Sequence, residues 1–126
     1  MSVVGIGTDI LDSSRIANMK PAVREKLAKR VLTPNELERY HEHTFPSQYL
    51  AKRWAAKEAA SKALQTGIAK GVSFQHFEIN NTDTGAPIID ITGVALEKAQ
   101  ALGATSWHIS LADDNALISA FVVLSR

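Results

Sequence analysis

The chain has 126 residues, with 14 Lys+Arg against 13 Asp+Glu, 45% apolar residues and no cysteine, which is the composition of one ordinary globular domain. Without a thiol, a disulfide-stapled secreted fold and any cysteine-ligated zinc or iron–sulfur site are excluded. No apolar run approaches the roughly 20 residues that span a bilayer. Met1-Ser2-Val3-Val4-Gly5 has no basic stretch ahead of an apolar one, so no signal peptide is expected and the expected location is cytoplasmic.

The net charge of +1 conceals a segregation. Residues 11–70 hold twelve Lys+Arg and six Asp+Glu, whereas residues 71–126 hold two and six. The first half is therefore cationic and the second anionic, which suits either solvated helix faces or a surface that meets phosphates or an acidic partner. A chain of this size buries only about two-thirds of its surface, so a surface or inter-subunit cleft is expected rather than an internal pocket.

In chain order, Val3 to Ile10 reads as a short strand, with Val4 and Ile6 alternating against Gly5 and Gly7 and with Asp9 near its end. Asp12-Ser13-Ser14 offers caps for a helical stretch from Arg15 to about Lys20, and a second runs from Pro21 to Leu32. Thr33-Pro34-Asn35-Glu36 predicts a helix start with a capping box, the helix ending near Thr44-Phe45-Pro46. Ser47 is the expected cap of the longest helix, which runs to Gln65-Thr66 with Gly67 as its stop.

Beyond Gly67 the period changes. Ser73 to Ile79 and Pro87 to Ile91 read as paired strands around a turn-rich loop, residues 80–85. Thr92 caps a helix from Gly93 to Leu102, and Ser106 to Ala112 and Ala116 to Leu124 form a last hairpin about Asp113-Asp114-Asn115. Hairpins dominate, so the expected fold class is α+β, a single domain over residues 1–126 with a mainly antiparallel sheet and a long central helix.

Three places carry candidate chemistry. On the long helix, at about 100° per residue, Glu58 and Lys62 fall in the sector of Leu50, Ala51, Trp54 and Ala55, with Arg53 and Lys57 along its edge. A Glu and a Lys at this spacing are commonly a surface ion pair, but charges on an apolar side must be paired or bind something. Asp9 follows two glycines that let backbone approach a ligand, or it caps the next turn. If Asp9 and Glu58 converge, two hard carboxylates suit Mg²⁺ completed by water and substrate phosphates. His108 and Ser110 share one face of a strand whose other face carries Trp107, Ile109 and Leu111. No P-loop or dinucleotide fingerprint is present, and the interleaved basic and aromatic residues that stack bases are missing, so no nucleic-acid partner is expected.

Five segments then carry a resemblance. Gly5-Ile6-Gly7-Thr8-Asp9-Ile10, Arg30-Val31-Leu32-Thr33, the run from Ala51 to Ala63 with Trp54-Ala55-Ala56-Lys57-Glu58-Ala59 and Lys62, Thr66-Gly67-Ile68, and His108-Ile109-Ser110 closely resemble the holo-[acyl-carrier-protein] synthase family. These are the short 4′-phosphopantetheinyl transferases, and the match is collinear over essentially the whole chain. The resemblance implies transfer of the 4′-phosphopantetheine arm of coenzyme A to a serine of apo-acyl carrier protein, for fatty acid and lipid biosynthesis. It implies Asp9 and Glu58 as Mg²⁺ ligands, Glu58, Lys62 and His108 as catalytic residues, and Lys62 and His108 near the coenzyme A phosphates. Arg53 and Pro87 match segments lining the nucleotide site, where Ala86 replaces a residue that is usually basic. Arg15, Arg24 and Lys26 lie in the stretch that matches the carrier-protein docking surface. A homotrimer with sites between subunits is the implied assembly.

Overall fold

The computed structural model describes residues 2–126. Its elements are β1 (Val3–Asp12), α1 (Ser14–Ala17), α2 (Pro21–Val31), α3 (Pro34–Glu42), α4 (Pro46–Ala63), β2 (Phe77–Asn81), β3 (Pro87–Ile91), α5 (Gly93–Ala101), β4 (Ser106–Asp114) and β5 (Leu117–Ser125), with a 3-10 turn at Phe74–His76. β1, β5 and β4 form one sheet in that order, and β2 and β3 form a separate hairpin that lies against β4. Every ladder among the described residues is antiparallel, in agreement with the expected α+β class.

The long helix α4 lies across the inner face of the three-stranded sheet. That face is built from Leu11, Ile118, Ala120, Val122 and Leu124, while α4 contributes Ala55, Ala56, Ala59, Ala60 and Ala63, all buried. Side chains this small let the helix backbone come down onto β1, and the two glycines of that strand complete the approach. A Cβ on Gly7 would lie 2.0 Å from the Ala59 carbonyl oxygen, and one on Gly5 would lie 2.2 Å from that of Ala63. The backbone that Gly5 and Gly7 admit is therefore that of α4, not a ligand, which corrects the sequence expectation.

Local signals set most boundaries, and where they lose, a neighbour explains it. The capping box at Thr33 forms as expected, Glu36 N–H donating to Thr33 Oγ1 and Thr33 N–H to Glu36 Oε1. α1 is only one turn long, because Pro21 holds Lys20 in an extended conformation and stops the helical run before it. α4 starts two residues early, with Pro46 in its first turn, and Ser47 Oγ accepts a bond from Arg24 Nη1 at 2.9 Å instead of capping. At the other end α4 stops at Ala63, and the amides of Thr66 and Gly67 fold back onto the Ser61 carbonyl. Ser73 caps the 3-10 turn, so β2 begins at Phe77 and not at Ser73.

Candidate active site

Along β1 the alternation of the pleat puts Asp9 on the same face as Gly5, Gly7 and Leu11, toward α4. The glycine contacts bring the helix within side-chain reach of that strand, and Lys62 spans the gap. Its Nζ donates to Asp9 Oδ1 at 3.0 Å and to the Thr8 carbonyl oxygen at 3.1 Å. Glu58 lies one helical turn before Lys62. Partial burial, reinforced by the negative charge of Asp9, pushes the Glu58 carboxyl above the usual carboxylate range. Asp9, Glu58 and Lys62 are thus brought together at the crossing of β1 and α4.

The reason is not the one the helical wheel suggested. Trp54 and Glu58 are partly exposed and Lys62 is exposed, so residues four apart form the open stripe of α4, whereas Arg53 and Lys57 are buried. α4 is flanked by β1 and β5 on one side and by α3 and β2 on another, so its alanines are buried nearly all round. The apolar sector therefore does not mark the solvent boundary. Packing partners do.

Two carboxylates and the Thr8 carbonyl oxygen are hard donors, but among the described residues no cluster of three or more His, Asp or Glu could hold a metal alone. That donor set fits Mg²⁺ and not a fully protein-caged metal, since Mg²⁺ keeps several positions for water and phosphate oxygens.

Arg53 and Pro87 line a different cleft, of about 700 Å³, between the first half of α4 and the β2–β3 hairpin. Arg53 lies five residues before Glu58, which places it about 140° around the helix from that side chain. Its guanidinium stacks on the Tyr49 ring at 3.9 Å, and its Nη2 makes only long bonds of 3.4 Å to Ile79 O and Asn81 Oδ1. Arg53 Nε and Tyr49 Oη are buried without a hydrogen-bond partner. Burial holds the Tyr49 phenol above its ordinary range, so it stays a donor. The Arg53 guanidinium puts a positive charge in the wall of this cleft, which suits an anion.

His108 lies elsewhere again. It shares a face of β4 with Ser110, as expected; the fold makes that the outer face of the sheet, and His108 Nε2 is 3.3 Å from Ser125 Oγ. With Pro87 it lines a cleft between β3 and β4. Asp9 projects from the opposite face of the same sheet. Within one chain, then, Asp9, Glu58 and Lys62 form one group, and Arg53, Pro87 and His108 form another linked through Pro87. Arg15 and Lys26 are exposed on α1 and α2, and Arg24 is partly covered by its bond to Ser47.

Sequence reasoning missed the Lys57–Glu36 pair. Both side chains are fully buried. Lys57 Nζ donates to Glu36 Oε1 and, at 2.7 Å, to the Val31 carbonyl; Glu36 Oε2 accepts the Ile79 amide at 2.8 Å. One carboxylate thereby ties α3, α4 and β2 together. The capping box had already located Glu36, but its second role depends on a residue 21 positions away.

The fold belongs to a known class. The 4'-phosphopantetheinyl transferase superfamily model matches residues 5–120, and the chain belongs to that superfamily. Particular relatives narrow the comparison. The chain is 52% identical over 124 residues to a holo-[acyl-carrier-protein] synthase of Shewanella oneidensis, covering 98% of each chain. Among solved structures it is similar to the holo-[acyl-carrier-protein] synthase of Neisseria meningitidis, with a TM-score of 0.88, 38% identity and coverage of 99% of this chain and 100% of that one. It is also similar to the Helicobacter pylori enzyme in complex with coenzyme A, with a TM-score of 0.80, 33% identity and coverage of 95% and 99%.

Proposed function

We propose that the protein transfers the 4′-phosphopantetheine arm of coenzyme A to a serine of an apo-acyl carrier protein. The serine oxygen forms a bond to the phosphorus next to the pantetheine. The bond from that phosphorus to the bridging oxygen breaks, and adenosine 3′,5′-bisphosphate leaves. The observation that carries this reading is the convergence of Asp9, Glu58 and Lys62 where β1 crosses α4.

Asp9 and Glu58 would hold a Mg²⁺ ion, which when bound neutralises pyrophosphate charge. The Lys62 ammonium steadies charge on the departing phosphate. Glu58 orients the attacking serine or takes its proton, directly or through water. Arg53, with its unmatched Nε, and Pro87 take the nucleotide end, and His108 meets a coenzyme A phosphate. Arg15, Arg24 and Lys26 form the docking surface for the acidic carrier, whose charge speeds encounter.

This reading requires a neighbour. His108 and Asp9 serve one site only if they come from different subunits, and the outer face of the sheet supports such an assembly. It exposes Val3, Ile6, Ile10, Leu117 and Phe121, with Ile6 and Ile10 60% and 67% exposed. An apolar patch of this kind marks an interface, and a homotrimer with sites between subunits accounts for it, testable by light scattering. Among the described residues no helix is long and apolar enough to cross a membrane. The enzyme would act in the cytoplasm, supplying holo-carrier for fatty acid and lipid biosynthesis. Incubation with coenzyme A, Mg²⁺ and apo-carrier should add the mass of phosphopantetheine to the carrier. No gain, where a control transferase works, overturns the proposal.

A further inference from the structure

Lys62 bonds to the same strand that supplies Asp9. Its ammonium nitrogen is 3.0 Å from Asp9 Oδ1 and 3.1 Å from Thr8 O. The two ends of this contact differ in freedom. The Lys62 side chain is 51% exposed and the Asp9 side chain only 20%, so the carboxylate is held by the strand while the four-carbon stem can swing away with little loss of packing. Glu58, one turn back on the same open stripe of α4, leaves the cluster with two carboxylates and one ammonium.

We infer that Lys62 is a resident counter-ion that occupies the divalent-cation position of the free enzyme and exchanges Asp9 for substrate phosphate when the metal enters. The inference rests on the proposed metal role of Asp9 and Glu58. An ammonium at hydrogen-bond distance from Asp9 and a divalent ion on the same oxygens would repel strongly, so the two cations compete for that carboxylate. A Lys62 released from Asp9 stays tethered one turn from Glu58, and with both carboxylates engaged by the metal it has no free acid to pair with, which leaves its three donors for an incoming phosphate. Metal and anionic substrate should then assist each other, because the metal frees the ammonium for the phosphate and the phosphate draws the ammonium off the carboxylate that the metal requires.

The experiment is a Mn²⁺ titration of metal-free full-length protein, read by the free-ion paramagnetic resonance signal, for wild type, Lys62→Gln, Lys62→Met, Lys62→Arg and Asp9→Ala. Each titration is made with and without adenosine 3′,5′-bisphosphate, and turnover is not measured. Without nucleotide, Lys62→Gln and Lys62→Met should bind Mn²⁺ roughly two- to fivefold tighter than wild type, the range expected for loss of a half-exposed ion pair. Lys62→Arg, which keeps a competing cation, should stay close to wild type. The nucleotide should tighten Mn²⁺ binding less in the Gln and Met variants than in wild type. Equal or weaker Mn²⁺ binding in both neutral variants overturns the inference. If that happens while Asp9→Ala loses Mn²⁺, only the role of Lys62 falls. If Asp9→Ala binds Mn²⁺ as wild type does, the metal site itself is wrong and both readings fall together.

Discussion

Asp9 and His108 project from opposite faces of one three-stranded sheet, Asp9 toward α4 on β1 and His108 outward on β4. No side-chain motion in a single chain carries one around the sheet to the other. If both serve the same reaction, Asp9→Ala and His108→Ala should complement. Each variant alone should lose transfer activity, whereas a pair unfolded and reassembled at equal ratio should recover about a quarter of wild-type activity, the fraction of interfaces in a cyclic assembly that receive both intact residues. Activity no higher than that of the separate variants would place both residues of a site in one chain or remove one of them from catalysis.

Gly7 and Ala59 set the distance between strand and helix. Gly7→Ala places a methyl group 2.0 Å from a carbonyl oxygen, a clash with backbone on both sides and no flexible atom to yield. The expected cost is about 3 kcal/mol or more, at the upper end for overpacking. Urea denaturation should reveal it, with loss of transfer even under conditions where the variant stays folded, because Asp9 moves away from Glu58 and Lys62.

Lys57→Met leaves the buried Glu36 carboxylate without its cation and should destabilise the fold by about 3–5 kcal/mol. Adding Glu36→Gln removes the unpaired charge while keeping an oxygen for the amides of Thr33 or Ile79. The double variant should therefore be more stable than Lys57→Met alone, as measured by chemical denaturation of both. Additive losses would mean that the pair acts as two independent contacts.

Glu58 opposes folding when ionised. Its carboxyl titrates higher in the folded protein than in the unfolded chain, so the folded state binds more protons between the two pKa values. The metal-free protein should accordingly lose stability as pH rises through that interval, from the ordinary glutamate value to the raised one, and then level off. Glu58→Gln should flatten that dependence and stabilise the protein above it, while lowering turnover by roughly 100-fold or more. Thermal melts across pH, with chelator present, read the first effect, and the carrier mass assay reads the second.

Arg15→Glu with Lys26→Glu reverses two exposed charges on α1 and α2 and leaves the β1–α4 cluster untouched. We expect kcat/KM for an acidic apo-carrier to fall about tenfold at low salt, with the gap to wild type narrowing as salt rises. The KM for coenzyme A should not change. A matching rise in the coenzyme A KM would instead place these residues at the nucleotide.

What could be read from the chain alone was what neighbours in sequence settle among themselves. The Thr33–Glu36 capping box and the closing hairpin depend on contacts a few residues long, the α+β class was legible from the order of such local elements, and the five collinear segments sufficed for the family. The same local rules misplaced the first turn of α4, because Ser47 bonds to Arg24, 23 positions away, and no cap signal reports that partner. They also misjudged the long helix. An alanine-rich helix has no strong apolar side, so its open stripe at Trp54, Glu58 and Lys62 and its buried Arg53 and Lys57 are set by what packs around it. The period of a strand put His108 on the face opposite Trp107, Ile109 and Leu111, and Asp9 on some face. Folding alone made those faces opposite, because β1 and β4 flank β5 in a common sheet with α4 covering one side, and pairing at that range leaves no trace in residue order.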